Sequence, residues 1–394
     1  MSHPIDRALV ERLRAAVNRD RLTATAVALV EVPSPTCDAG AVSDRLAGIL
    51  RDDGFEVERP VGGWPAAPAV ATRYRAARPG RTLQFNGHLD TVHLPFVAPR
   101  VEGGILFGSG AADMKGGVAA MIEALRILKE TDSLPAGEIL VTAHDLHEAP
   151  WGDGGQLNEL IRTGYVGDAV LLPEYSCDSI PVIGRGLAVL EVTISRDGEP
   201  VHEVFGGIEQ PNVIAAGAEV IRRFGQLDQR LAKSRHPEAG RESLFVGRAA
   251  GGEIYNQSPT RFVIEGTRRW LPGRRHADAN AEIDGILASV ARETGTRVEG
   301  TFQVVRDAFE IDRTAPFVAA FQSAHAAVTG KTLPFAAKPF VDDGNSFMAI
   351  GGVTAITHGP RAVGAHTLYE KVPLDELARV AVVYALTAIA FCPA

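Results

Sequence analysis

Apolar residues fall three and four positions apart over 6–18 and 40–53, the spacing of helices that bury one face. In FEVERP (55–60), LQFNGHLD (83–90) and EILVTAH (138–144) they instead cluster or alternate as in strands. GGVAAMIEALRILKE (116–130) predicts a strong amphipathic helix, and DAVLLPE (168–174) a buried strand that ends in an acid. Helix and strand alternating in this way imply α/β architecture, a largely parallel sheet flanked by helices.

The rhythm changes after residue 184. LAVLEVTIS (187–195) reads as a strand, PNVIAAGAEVIRRFG (211–225) as a helix, and SLFVGRAA (243–250) and RFVIEGTRRW (261–270) as two strands. A helix at 277–294 and a strand at 297–306 follow. The order βαββαβ is the split pattern of a small ferredoxin-like domain. The chain then returns to a helix (315–329), a polar loop, the strand VTAIT (353–357) and a last helix (373–390). The expected organisation is a discontinuous domain, 1–184 plus 306–394, with an insert at 185–305.

At 394 residues the chain is long enough for two or three domains. Its net charge of −8, with no basic run, argues against a nucleic-acid partner. The first residues carry no apolar signal core, and no window approaches ~18 uninterrupted apolar positions, so a cytoplasmic protein without a membrane span is expected. Cys37, Cys177 and Cys392 lie far apart and form no CxxC pair, so neither a disulfide framework nor a thiolate zinc site is expected.

The polar residues at strand ends suggest the chemistry. NGHLDTV places His88 and Asp90 two apart, on one face of an extended chain. A histidine beside a carboxylate is a natural metal ligand with its orienting partner. Asp113 follows in GSGAADMKGG. Next comes AHDLHEAPWGDGG (143–155), with His144, Asp145, His147, Glu148 and Asp153, then Glu174 and finally His366 in GAHTLYE. Such mixed nitrogen and oxygen donors suit Zn²⁺, Mn²⁺ or Co²⁺. Taken singly, each has an ordinary explanation: Asp113 can cap the helix near Gly116, and Glu174 can be a salt-bridge partner. GSGAAD fails as a dinucleotide loop because its sixth position is Asp113, not glycine. There is no P-loop, and no serine lies in G-x-S-x-G.

Taken in order, NGHLDTV, GSGAADMKGG, the HE pair, PE and GAHTLYEKV resemble the M20 family of binuclear metallohydrolases, which includes acetylornithine deacetylase, succinyl-diaminopimelate desuccinylase, aminoacylases and glutamate carboxypeptidase. The resemblance covers essentially the whole chain, and the βαββαβ insert corresponds to that family's lid, or dimerisation, domain. It implies two divalent metals: His88 and Glu174 would hold one, Glu148 and His366 the other, and Asp113 would bridge them. Asp90 would orient His88, and the Asp113–Met114 peptide would be cis. His202, in RDGEPVHEVFGG, corresponds to a lid histidine that reaches the partner subunit's active site. Arg269, in GTRRW, corresponds to an arginine near the substrate carboxylate. Asn256, in YNQSP, matches the family's lid asparagine. VDDGNSF (341–347) resembles a substrate-touching loop, with Asp343 as the equivalent residue. Structural roles stay open for all of these lid and loop residues.

The chain departs from the family at one telling place. Where the family has Asp-Glu-Glu, this chain reads Leu146-His147-Glu148. The second acid, a metal ligand, is kept; the first, the general base, has become a histidine. A shifted register, with Glu148 as base and Asp153 as ligand, also stays open. An imidazole of pKa about 6.5 is a competent base near neutrality. It adds no negative charge beside the cations, so the exchange should favour an anionic substrate or a different transition state. His147 as an extra metal or substrate contact, or as a mark of lost hydrolysis, are the alternatives. Trp151, in the same loop, would offer a flat apolar wall to a planar substrate group, or would simply pack the loop.

The expected function is hydrolysis of the C–N bond of a small N-acyl amino acid, dipeptide or related carboxylate, by a homodimer joined through the lid. The alternatives are hydrolysis of an aromatic amide or amine, and a metal- or ligand-binding protein without turnover.

Overall fold

The strand Thr82–His88 is the axis of the fold. In a computed structural model, which describes residues 5–175 and 177–393, it lies within a six-stranded sheet. Glu138–His144 and Ala169–Leu172 flank it in parallel, and Thr354–Thr357 pairs in parallel with Ala169–Leu172. Val70–Arg75 and the short Val57–Glu58 add an antiparallel margin. Every residue of Ala169–Leu172 is buried, the continuous apolar run of a strand covered on both faces.

The four parallel strands end at one edge of the sheet, and each runs into polar chain. Asp90 lies two residues beyond His88, Asp145 to Glu148 follow His144, Glu174 lies two residues beyond Leu172, and His358 follows Thr357. This edge is where open α/β sheets form their crevice.

Lys115–Glu130 is the helix that the spacing predicts, and it is buried well beyond one apolar face. Residues 115–128 are all buried, because Arg19–Val30 and Leu374–Phe391 cover the face that would otherwise be wet. Its three buried ionisable side chains all have partners: Lys115 Nζ donates to Val32 O, Glu123 accepts from Arg21, and Arg126 bonds Asp53 and Glu123. A buried charge left without its partner costs several kcal/mol, about 3–5, which explains why both signs occur on this face.

Two compact units divide the chain. One comprises the chain up to Val182 with 311–336 and 342–394; the other comprises 183–310 with 337–341. The short return 337–341 joins the second unit because Ala337 packs on Ile183, Ala239 and Leu271. In the second unit Gly186–Ser195, Ser243–Gly251, Arg261–Trp270 and Arg297–Arg306 form an antiparallel sheet in the order second, third, first, fourth. Val213–Leu231 and His276–Thr294 close its core on one face, with Val192, Ile194, Val220, Phe224, Ile264 and Leu287 buried together.

Helices Arg19–Val30, Gly155–Arg162 and Asp343–Ala349 and strands Val70–Arg75 and Ile180–Gly184 are additional to the sequence pattern. FEVERP yields only the two-residue strand Val57–Glu58. Among the described residues no helix is long and apolar enough to cross a membrane.

Candidate metal centre

Alternation places a row of polar side chains on one face of the central strands. Gln84, Asn86 and His88 are every second residue of one strand; Thr142 and His144 are every second residue of its neighbour. Gln84 Nε2 donates to Thr142 Oγ1 (2.7 Å), and Thr142 Oγ1 donates to Asn86 Oδ1 (2.8 Å). Asn86 Nδ2 reaches Asp343 Oδ2 at 3.3 Å. The row ends at His88, which pairs in register with His144.

Around His88 the loops bring acids together. Asp113 presents its two oxygens to different imidazoles: Oδ1 is 3.1 Å from His88 Nε2, and Oδ2 is 3.2 Å from His366 Nε2. His366 Nε2 is also 3.2 Å from Glu148 Oε2, and His88 Nε2 is 3.8 Å from Glu174 Oε1. His88 with Asp113 and Glu148, and His88 with His147 and Glu174, form two compact donor groups. Asp153 lies outside them, exposed, with Oδ1 accepting from Gly155 N.

Several backbone devices hold these donors. The Asp113–Met114 peptide is cis, as the resemblance implied. Glu174 sits on a turn pressed from two sides by glycine: a Cβ on Gly117 would come 2.0 Å from Pro173 O, and one on Gly359 would come 1.9 Å from Glu174 O. His366 adopts φ 61°, the left-handed region that few side-chain-bearing residues use. Asp90 divides its work. Its carbonyl oxygen, at 3.0 Å, meets His88 Nδ1, while its carboxylate Oδ2 accepts from His147 N and Glu148 N at 3.0 Å each. The carboxylate therefore fixes the His147-Glu148 turn, and the backbone takes over the orienting of His88.

Among the described residues, the ion pairs of Asp113, Glu148 and Glu174 are all with His88, His147 or His366. Burial opposes a charge on Asp113, but His366 and His88 outweigh it and hold the carboxyl below its usual range. Burial likewise opposes the proton on His88, yet Asp113, Asp90 and Glu174 hold that proton well above the ordinary histidine range. Hydrogen bonds to Asp113 and Glu148 raise His366 to about 10. Burial and the charge of Asp113 push Glu174 well above its usual value. Protons thus sit where positive charge is wanted between buried acids, and a mixed imidazole and carboxylate set of this size fits divalent cations of the Zn²⁺, Mn²⁺ and Co²⁺ kind.

His147 stands at the rim of this cluster. Its Nδ1 is 2.9 Å from Asp343 Oδ1, and its Nε2 is 3.8 Å from Glu174 Oε1. Its ring stacks on His88 at 3.9 Å with 6° between planes. Parallel rings point their lone pairs along parallel planes. Rings stacked in this way do not converge their nitrogens on one point, so His88 and His147 are poorly arranged to share one cation. The stacking therefore favours His147 as a neighbour of the metal set over a member of it.

Asp343 is placed differently from the substrate-touching role that its loop suggested. Its side chain is fully buried, and its two oxygens face His147 and His144. Asp342, one residue earlier, caps the helix Asp343–Ala349 in a reciprocal box with Asn345, which fixes the direction of Asp343.

In the second unit His202 Nε2 lies 2.8 Å from Asn256 Nδ2, so these two residues hold each other. Phe205, Ile208 and Tyr255 beside them are each at least 80% exposed. The half-buried Arg269 guanidinium has no hydrogen-bond or ion-pair partner among the described residues, and burial together with Arg185 disfavours its charge. In the first unit Trp151, 41% exposed, stacks flat on His93 at 4.2 Å.

Sequence reasoning missed Glu370 and named Asp145 without giving it a task. Glu370 accepts from the backbone nitrogens of Gly110, Ala112 and Asp113 (3.0–3.1 Å) and so holds the loop that carries Asp113. Its position four residues after His366, in a motif read only for the histidine, was the available signal. Asp145 accepts from Cys37 N, Ala39 N and Trp64 Nε1, and so ties the same rim to the first helices.

Comparison with known proteins places this arrangement. A sequence description of peptidase family M20/M25/M40 matches residues 84–390. The chain is 30% identical over 288 residues to a succinyl-diaminopimelate desuccinylase of Methylobacterium sp. (strain 4-46), covering 68% of this chain and 72% of that one. It is 24% identical over 402 residues to an N-formyl-4-amino-5-aminomethyl-2-methylpyrimidine deformylase of Bacillus subtilis (strain 168), covering 91% and 90%. In fold it is similar to an aminopeptidase, PepT, of Bacillus cereus, with a TM-score of 0.76 at 22% identity over 95% and 100% of the two chains.

Proposed function

The chain belongs to peptidase family M20/M25/M40 and is an enzyme of the metallohydrolase type, and we propose that it hydrolyses the C–N bond of a small N-acyl amino acid, dipeptide or related carboxylate. The observation that carries this reading is Asp113, whose two oxygens face His88 and His366 separately. A carboxylate so divided suits a bridge between two cations, with His88 and Glu174 on one side and Glu148 and His366 on the other.

When bound, the cations supply Lewis-acid polarisation of the scissile carbonyl and acidify the attacking water towards ~7. His147 then takes the water's proton at Nε2 and returns it to the departing amine nitrogen. Asp90 keeps the His147-Glu148 turn in place for both tasks. Arg269, whose guanidinium has no partner among the described residues, pairs with the substrate carboxylate. His202 acts from the partner subunit on the developing oxyanion, with Asn256 fixing its ring and contacting the substrate. The exposed Phe205, Ile208 and Tyr255 around that pair support a homodimer through this unit.

A second reading has one observation behind it. Trp151, exposed and held flat by His93 on the loop that carries Glu148, is suited to an aryl group, which favours an aromatic amide as substrate.

The experiment is reconstitution of metal-stripped protein with Zn²⁺, Mn²⁺ or Co²⁺, with metals counted per chain and amine release followed on N-acyl amino acids, dipeptides and aryl amides. Two metals with turnover on an acyl amino acid or dipeptide support the first reading. Turnover confined to aryl amides supports the second. Two metals with no turnover anywhere on the panel overturn both.

A further inference from the structure

Behind His147 runs a buried chain of groups. Asp343 Oδ1 is 2.9 Å from His147 Nδ1, and Asp343 Oδ2 is 2.9 Å from His144 Nε2. His144 Nδ1 is in turn 2.9 Å from the carbonyl oxygen of Asp145. His144 and Asp343 are fully buried.

Hydrogen-bond bookkeeping fixes where the protons are. An ionised carboxylate and a carbonyl only accept. Each ring nitrogen facing one of them must therefore carry a hydrogen. His144 faces acceptors at both nitrogens and donates from both. His147 is within hydrogen-bond distance of an acceptor only at Nδ1, because Glu174 Oε1 lies 3.8 Å from Nε2; its neutral form is therefore the Nδ1–H tautomer, with the Nε2 lone pair turned to that side. The buried charge of Asp343 is matched by His144, so the carboxylate stays ionised without leaving an unpaired charge in the interior.

We propose that Asp343 is a positioning residue that holds His147 in the tautomer with Nε2 bare towards the metal centre, and that His144 holds Asp343. The inference rests on the reading of His147 as the proton carrier. It makes the histidine at 147 half of a paired replacement: an imidazole in place of the family's carboxylate base works only because a second carboxylate, from a segment about 200 residues away, stands behind it. Asp343 acts through His147 and touches neither substrate nor metal.

The test uses full-length protein loaded with Zn²⁺. Histidine ¹⁵N spectra at one pH should show His147 with a protonated Nδ1 and a bare Nε2. Asp343→Asn should lose that single pattern, because an amide offers an acceptor to only one of the two rings. In that variant kcat should fall about 100-fold, KM should move by less than about 3-fold, and two metals per chain should remain. In a His147→Glu background the same change should cost nothing or raise turnover, since it removes a carboxylate facing a carboxylate. A His147 resonance showing direct metal ligation, metal loss in place of turnover loss in Asp343→Asn, or an equal cost of that change in both backgrounds overturns the inference. If His147→Glu has no turnover, the spectra decide. Full activity in His147→Ala instead defeats the proton-carrier reading itself. His147→Ala dead with Asp343→Asn unaffected defeats only the role of Asp343.

Discussion

Glu370 Oε2 accepts from the backbone nitrogen of Asp113 at 3.1 Å, and the same carboxylate also accepts from Gly110 N and Ala112 N. The loop that aims Asp113 at both His88 and His366 is therefore set by a residue only four positions from His366. Glu370→Gln replaces an oxygen with an NH₂ that faces a backbone donor. We expect it to cost about 1–3 kcal/mol of stability and to weaken metal affinity about 10–100-fold. Chelator competition reads the second effect; an unchanged affinity would show that the loop is held by something else.

Asp113 should govern both metals, and His366 only one. Asp113→Asn should reduce metal content below two per chain and lower turnover at least about 100-fold. His366→Ala should leave one metal behind. Metal analysis after dialysis distinguishes the two variants, and two metals retained in Asp113→Asn would remove the bridging role.

His147→Ala should lower kcat about 100- to 10,000-fold, the span of a lost proton-transfer group, with metal content unchanged. Loss of a metal in this variant would move His147 into the ligand set, contrary to its parallel stacking on His88.

Acid should weaken the metal-binding unit through His358. This residue is fully buried beside the rings of Phe321 and His325. Burial, followed by the charges of Arg379 and His325, holds its pKa well below the ordinary value. The folded chain therefore binds fewer protons than the unfolded one below pH ~6.5, and stability present above that pH is lost as the pH falls. Between pH 7 and 5 the loss from this group should be about 2 kcal/mol. Urea midpoints at the two pH values should lie closer together in His358→Leu than in the parent.

Much of this was legible in the sequence because the sheet's strands are apolar runs that end in acids or histidines. His88, Glu148 and Glu174 were singled out that way and Asp113 and His366 through their motifs, and the structure brings the donor atoms of these five candidates close together. The insert was legible because its helices and strands have full length and clear spacing. The helix Lys115–Glu130 was legible but the extent of its burial was not, since periodicity cannot reveal that Arg19–Val30 lies over its polar face. Asp343 and Glu370 were misread or missed for a different reason. Each works on residues about 200 or 260 positions away, and no local pattern records such a pairing. His144 was in view from the start, but only the position of Asp343 gives it a task.

The in-register pairing of His88 with His144 also bears on how the protein matures. A slip of one residue between these two strands would turn Gln84, Asn86 and His88 to the opposite face and bring Leu83, Phe85 and Leu89 in their place. No half-correct version of the centre exists, because the polar row and the first histidine move together. During refolding, metal uptake would therefore time the moment at which the central strands lock into alignment.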